Sequence, residues 1–253
     1  MTAEPGWRPV SRSRTHEQVL EQIEAQIVRG ALRTGDRLPS ERTLMELLEV
    51  SRSSIREALR ILESIGIIVA TGSRGMDAGW VISDHPSPAL GRLLQLHMML
   101  ARFELTDLVE VQILLERWAC RRAAARGDGH HFDAAQRALD AMNDEALSPR
   151  DFNRLDTEFH IRIAEASGNV LLRDLMQALR DAVEREMVAI FERHQDWRAT
   201  ASHLRKEHAA ILEALRSGDG EQAAALAERH IATFYRDQMK SSSRSSRSPS
   251  GSK

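Results

Sequence analysis

The sequence predicts a mainly α protein in two parts: an N-terminal winged helix-turn-helix with a small β-hairpin wing, then an antiparallel all-α helical bundle. Three observations carry this. Leu, Ala, Glu and Arg dominate while aromatics make up only 4%, which favours helices and argues against a β-sandwich. Apolar residues recur at i, i+3, i+4, i+7 in segment after segment. Two short β-prone runs, Ile67-Ile68-Val69 and Trp80-Val81-Ile82, flank the Gly-bearing stretch TGSRGMDAG, as strands flank the turn of a hairpin.

Composition bounds the function. A chain of 253 residues has room for one large or two ordinary domains, and an apolar fraction of 42% supports a real core. The net charge of −2 means that nucleic-acid binding must come from the placement of charge rather than from bulk positivity. A single cysteine, Cys120, rules out an internal disulfide and fits a reducing cytosol. No run of 18 apolar residues and no signal peptide stands out. The expectation is a cytoplasmic protein with no membrane partner.

In order along the chain, residues 1–13 are polar with Pro5 and Pro9 and are expected to be flexible. From Arg14 a helical pattern places Val19, Leu20, Ile23, Ile27 and Val28 on one face, and Gly30 suits its end. Ser40 caps a short helix whose Leu44, Leu47 and Leu48 face inward, and Val50 plugs the following turn. Ser51 caps a second helix with Ile55, Ala58, Leu59 and Leu62 in one buried stripe, and Gly66 ends it. The hairpin completes the winged helix-turn-helix over residues 14–83. Asp84-His85-Pro86-Ser87-Pro88 is a linker by composition.

Residues 89–240 are helical in period throughout. Leu90, Leu93, Leu94, His97 and Met98 mark one helix. A long helix from Leu105 to Arg126 turns Leu108, Val111, Leu115, Trp118 and Ala119 inward. Further helices are expected from His131 to about Ala146, from Ser148-Pro149 to about Ala166, from Val170 to His194, from Thr200 to Ser217 and from Glu221 to Lys240. Trp118 and the methionines Met98, Met99, Met176 and Met187 are read as core packing. Short loops between antiparallel helices make a bundle. Residues 241–253, SSSRSSRSPSGSK, read as a disordered Ser/Arg tail.

The helix after Ser51 carries a sequence-reading face. Arg52, Ser53, Arg56 and Arg60 fall off its apolar stripe, and Arg52 and Arg56, four apart, project from one side of its first turns. Guanidiniums and hydroxyls at a helix N-terminus suit phosphates and guanine edges. Arg74, at the tip of the wing, is placed to reach a minor groove or phosphates. The ordered series Leu38-Pro39-Ser40-Glu41-Arg42, Val50-Ser51-Arg52, Arg56-Glu57-Ala58-Leu59, Leu62 and Gly66, with the glycine-bearing wing, resembles the winged helix of the GntR family of bacterial transcription regulators over residues 15–83. The resemblance implies that Arg42, Arg52 and Arg56 contact DNA, with Ser51, Ser53 and Ser54 on phosphates or bases and Gly72 in the wing. It also implies a homodimer on a pseudo-palindromic double-stranded operator, with repression the expected outcome. Glu49 departs from the glycine common at that point; a left-handed backbone there costs on the order of 1 kcal/mol.

A second constellation lies in the bundle. Asp156 and His160 are four apart in RLDTEFHIRIAEASGN, and His208 and His230 each sit on their own helix. A carboxylate with imidazoles is a normal ligand set for Zn²⁺ or another first-row ion. Spacing alone leaves two alternatives open, since such an Asp–His pair is more often a surface hydrogen bond and lone histidines are usually not ligands. The bundle is similar to the FCD ligand-binding domain of the FadR subfamily of GntR regulators. The match rests on Asp156-x3-His160, the following Ala-Ser-Gly-Asn, the His208 helix ending in Leu-Arg-Ser-Gly-Asp, and the His230 helix. That resemblance implies a divalent metal, Zn²⁺ or alternatively Ni²⁺ or another first-row ion, on Asp156, His160, His208 and His230, below a pocket for a small-molecule effector, a carboxylate in many members. His203, five residues before His208, is assigned no role. Where the family often carries an Arg early in the long helix, this chain has Gln112. Gln112 and Asn169 are the candidate effector contacts, and the lost charge counts against an acidic effector. Two rival readings are a constitutive DNA-binding dimer without effector and a metal-dependent hydrolase on Asp156, His160 and His208. The sequence has no HExxH motif, nucleophile or phosphate loop to support the hydrolase.

Overall fold

The computed structural model describes residues 15–71, 79–84, 88–100, 104–193 and 196–245. The chain divides into two compact units between Ala89 and Leu90.

In the first unit, α1 (Thr15–Val28), α2 (Glu41–Leu48) and α3 (Arg52–Ser64) surround one small core. Each helix start is chemically specified. Ser40 Oγ accepts the Thr43 amide at 3.1 Å, and Ser51 Oγ accepts the Ser54 amide at 3.3 Å, satisfying amides that have no partner inside the helix. The predicted stripe of α3 is buried to the last residue: Ile55, Ala58, Leu59 and Leu62 are at most 1% exposed. Strands β1 (Ile68–Thr71) and β2 (Gly79–Ile82) pair antiparallel with Ile68 opposite Ile82 and Thr71 opposite Gly79. The segment before α2 runs along β2, with Leu38 donating to the Trp80 carbonyl and the Gly35 amide to that of Ile82. Two expected core positions lie outside. Val28 is 86% and Leu47 67% exposed, because the core takes Val19 and Ile23 from α1 and only Leu44 fully from the two-turn α2. Ile67 precedes the strand and is half-exposed. Gly72 and Arg74 lie outside the described residues.

The second unit holds α4 (Pro88–Met99, its first two residues on the other side of the division), α5 (Leu105–Arg126), α6 (Gly129–Ala141), α7 (Pro149–Ala166), α8 (Val170–Arg193), α9 (Trp197–Arg216) and α10 (Gly220–Ser245). Asp107 accepts the Glu104 amide before α5, Ser148 the Asp151 amide in α7, Asp196 the Ala199 amide in α9 and Asp219 the Gln222 amide in α10. Helix α6 stops at Ala141, five residues short of the expected end, where Met142 turns into the core. Helix α10 continues to Ser245, into the stretch expected to be disordered; no Gly or Pro interrupts it before Pro249, and propagating a formed helix is far easier than starting one.

The long α5 packs against α10 closely enough that a Cβ at Gly220 would stand 3.0 Å from the Arg121 Cα. Its inward face is Leu108, Gln112, Glu116, Ala119, Cys120 and Ala123. Val111 and Trp118, expected inside, are 46% and 41% exposed. Their places facing the bundle are taken by two polar residues, a substitution that stability alone would not favour. Among the described residues no helix is long and apolar enough to cross a membrane.

Candidate DNA-reading face and metal centre

Helix α3 presents Arg52, Ser53, Arg56 and Arg60 to solvent beside the half-buried Ser54. The Ser51 hydroxyl, besides capping, lies 2.9 Å from the Ser53 hydroxyl and 3.0 Å from that of Ser54, forming a cluster at the helix N-terminus. Arg42 is an exposed residue of α2 whose Nε donates to Glu46 at 2.9 Å. Arg56 faces Glu41 at 3.8 Å. These ion pairs are solvent-exposed and weak, so the guanidiniums can leave them for phosphate or base edges. The face combines exposed donors and a positive helix terminus.

In the second unit α7, α9 and α10 bring Asp156, His160, His208 and His230 together, with one ligand-type atom from each within 4.8 Å of the others. All four are at most 6% exposed. His208 Nε2 lies 3.1 Å from Asp156 Oδ1 and 3.2 Å from His230 Nε2. The distal ring atoms explain the aim of two imidazoles. His160 Nδ1 meets the Glu116 carboxylate at 2.9 Å, and His230 Nδ1 meets Glu207 at 2.7 Å. Assigned from these partners, each ring carries its proton on Nδ1 and turns a bare Nε2 inward. Among the described residues, His160 Nε2 is buried without a hydrogen-bond partner, as is His208 Nδ1. Buried polar atoms in folded proteins are nearly always satisfied. An orphaned imidazole nitrogen beside a carboxylate and two further imidazoles fits a divalent first-row ion in donor type and number.

Electrostatics agree with that fit. Burial pushes the His208 imidazole down to about 4, helped by the neighbouring His230 and only partly opposed by Asp156. Burial and the Arg180 charge lower His160 as well. Both rings are therefore neutral at pH 7, the form that ligates. Burial by itself would raise Asp156, but the His208 hydrogen bond and the charges around it, Arg180 among them, outweigh it and hold the carboxyl well below the usual range. Glu116 behaves alike: burial opposes its charge, yet His160 and Arg180 bring it to about 2.

Next to the cluster is a cavity of about 30 Å³ lined by Gln112, Asn153, Asp156, Thr157, Arg180 and His230 on its polar side, with Val183, Met187, Phe191 and Phe234 among its apolar walls. Gln112 is therefore in the cavity wall. Asn169 is not: it is exposed, and its Oδ1 accepts the Leu172 amide at 3.1 Å, which makes it the N-cap of α8. Its place in a short Ser-Gly-Asn turn fits capping geometry, not ligand contact. Met176 is in the core and Met98 packs on a smaller cluster, whereas Met99 is 68% exposed. His203 is solvent-exposed and pairs with Glu207 at 3.2 Å.

Sequence reasoning did not single out Glu116, Arg180 or Asn153. Arg180 donates to Asp156 Oδ2 at 2.9 Å and to Glu116 Oε1 at 2.8 Å, and is itself buried. It brings to the cavity the cation that Gln112 lacks. A signal existed: Leu108, Gln112, Glu116 and Cys120 share the i, i+4 face of α5, so a strict period search would have flagged two polar residues in a core stripe.

Comparison with known proteins gives this arrangement its context. The gntR family of bacterial regulatory proteins matches residues 15–77, and the FCD domain matches residues 107–233. The chain is 30% identical to the Glc operon transcriptional activator of Escherichia coli strain K12, over 87% of each chain. It is 29% identical to the HTH-type transcriptional repressor NanR of Cronobacter sakazakii, covering 91% of this chain and 87% of that one. It is 27% identical to the HTH-type transcriptional regulator LutR of Bacillus subtilis, covering 81% and 92%. The solved structure of Streptococcus agalactiae GntR shares the fold, with a TM-score of 0.61 at 24% identity over 87% of this chain and 99% of that one. The chain belongs to the GntR family, with an FCD domain of the FadR-like kind as its second unit, and it is a DNA-binding transcription regulator, not an enzyme.

Proposed function

We propose that this protein is a cytoplasmic repressor that binds a pseudo-palindromic operator as a homodimer and is controlled by a small carboxylate bound beside a divalent metal, Zn²⁺ in the first instance. The observation that carries the regulatory part is a shared wall. Asp156 and His230 belong to the ligand cluster and also line the adjoining cavity, so a molecule entering the cavity meets the metal's own ligands. Asp156, His160, His208 and His230 would hold the ion, which supplies Lewis-acid attraction for an oxygen ligand. Arg180 supplies a guanidinium for a carboxylate, and Gln112, Asn153 and Thr157 supply neutral hydrogen-bonding groups. At about 30 Å³ the cavity has room for one or two waters. A metabolite that binds there more tightly in one of two states of the bundle would shift the equilibrium between them by that difference in affinity.

Dimerisation is assigned to an apolar surface of α4 and α5. Leu93, Leu96 and Met99 on α4 and Leu100 just after it are 52–70% exposed, and Val111, Leu114 and Trp118 on α5 are 41–66% exposed. Leu94 and Met98 of α4 and Leu108 and Leu115 of α5 pack on one small cluster with Leu179 and Val183 of α8. Large apolar side chains gathered this way mark an interface, and a second copy would set two α3 helices on one operator. The sign of regulation follows the NanR repressors; the Glc operon relative is an activator, so a reporter driven by the operator decides between repression and activation.

The test is a gel-shift titration of operator fragments recovered from the genome, using zinc-loaded and zinc-stripped protein with a panel of small carboxylates. A carboxylate that changes operator affinity only for the zinc-loaded protein is the expected result. Operator affinity indifferent to zinc and to every carboxylate would leave the constitutive dimer as the answer.

A further inference from the structure

We propose that Glu116 and Arg180 form a positioning clamp that presets His160 and Asp156 for the metal, fixing which atom of each can reach it. The inference rests on the metal reading above. Its geometry is one continuous chain across three helices. From α5, Glu116 Oε2 lies 2.9 Å from His160 Nδ1 on α7, while Glu116 Oε1 accepts from Arg180 on α8 at 2.8 Å. Arg180 closes the chain by donating to Asp156 Oδ2 at 2.9 Å.

Each link has a chemical consequence. The carboxylate holds the His160 proton on Nδ1, so the partnerless Nε2 is the atom presented to an ion. Arg180 occupies Oδ2 of Asp156, which leaves Oδ1, the atom already facing His208, as the single ligating oxygen. The clamp thus selects a one-oxygen, imidazole-rich site over a two-oxygen carboxylate site, a choice that favours zinc over hard cations. Stability does not explain the pair. Glu116 is fully buried and Arg180 nearly so, and well-packed apolar residues usually serve a core at least as well as a buried ion pair. Of the other imidazoles, His230 Nδ1 meets the partly exposed Glu207 at 2.7 Å, and His208 Nδ1 has no hydrogen-bond partner among the described residues.

The experiment compares full-length wild type, Glu116→Ala, Glu116→Gln and Arg180→Gln, each stripped of metal. Zinc affinity is read by competition with a chromophoric chelator, and ligand geometry by the visible absorption of the cobalt(II)-loaded protein. The clamp predicts zinc binding roughly 10–100-fold weaker for Glu116→Ala and a changed cobalt spectrum for all three variants. Glu116→Gln, which keeps volume and an acceptor for the His160 proton, should fall between Glu116→Ala and wild type. Arg180→Gln tests the same clamp from its other end should the Glu116 variants fail to fold. Folded variants with lower melting temperatures but wild-type zinc affinity and cobalt spectrum would overturn the clamp and leave Glu116 a packing residue. A wild type that takes up no zinc or cobalt would overturn the metal reading and the clamp with it.

Discussion

Arg56 on α3 and Glu41 at the start of α2 face each other across the helix-turn-helix, with Nε and Oε1 3.8 Å apart and both side chains partly in solvent. An ion pair of that length and exposure contributes little to folding. The guanidinium stays exposed on the reading face.

The separation of fold from recognition predicts the effect of losing Arg56 or Arg52. Neither side chain belongs to the buried stripe of α3, so Arg56→Ala and Arg52→Ala should melt within a few degrees of wild type. Operator affinity should fall by about 1–3 kcal/mol for a variant that loses a bidentate base contact, with relaxed preference at that base pair. A variant that loses only a phosphate contact should bind all sequences more weakly and lower the salt slope by about one. Gel shifts across salt and operator variants measure both quantities; unchanged affinity and specificity in both variants would remove α3 from the role of reader.

Glu49 predicts a gain in stability. It closes α2 with a φ of 52° and is the one non-glycine described with a positive φ. In that region a side chain beyond Cα is strained, and glycine adopts it without penalty. Glu49→Gly should stabilise the first unit by about 1 kcal/mol, seen as a rise of several degrees in its melting transition. A lower melting temperature would mean that the Glu49 side chain makes contacts that outweigh the strain.

Leu114 tests the assembly. It is 66% exposed at the centre of the apolar row on α5. Leu114→Asp buries nothing polar in a single chain, so the bundle should stay folded by circular dichroism. Across a two-fold interface the substitution places two carboxylates close together, each appearing once per copy. With the proposed dimer as wild type, sedimentation should show a monomer for the variant, with weakened operator binding from losing the paired half-site. A dimeric Leu114→Asp protein would move the interface elsewhere.

How much of this could be read from the residues alone varies by element. The α3 stripe and its Ser51 cap follow from local periodicity and hydrogen-bonding capacity, and both are present as expected. Helix ends were less legible: α6 ends early because Met142 is drawn into the core, and α10 runs on through serines that carry no breaker. The inward face of α5 was misread at Val111 and Trp118, since hydrophobicity alone ranks them above Gln112 and Glu116. Asn169, a polar residue in a suggestive motif, serves the backbone as the cap of α8.

By itself the sequence determined what short-range chemistry specifies: the mainly helical fold, the helix-turn-helix with its caps, and the four ligand-type residues spaced along their helices. Only the tertiary structure decided which polar residues share a buried space. Glu116 and His160 are 44 positions apart, and Arg180 and Glu116 are 64 apart. No local period links such residues. They meet because three helices with apolar faces must pack, and in packing enclose charges that are tolerable there only when paired.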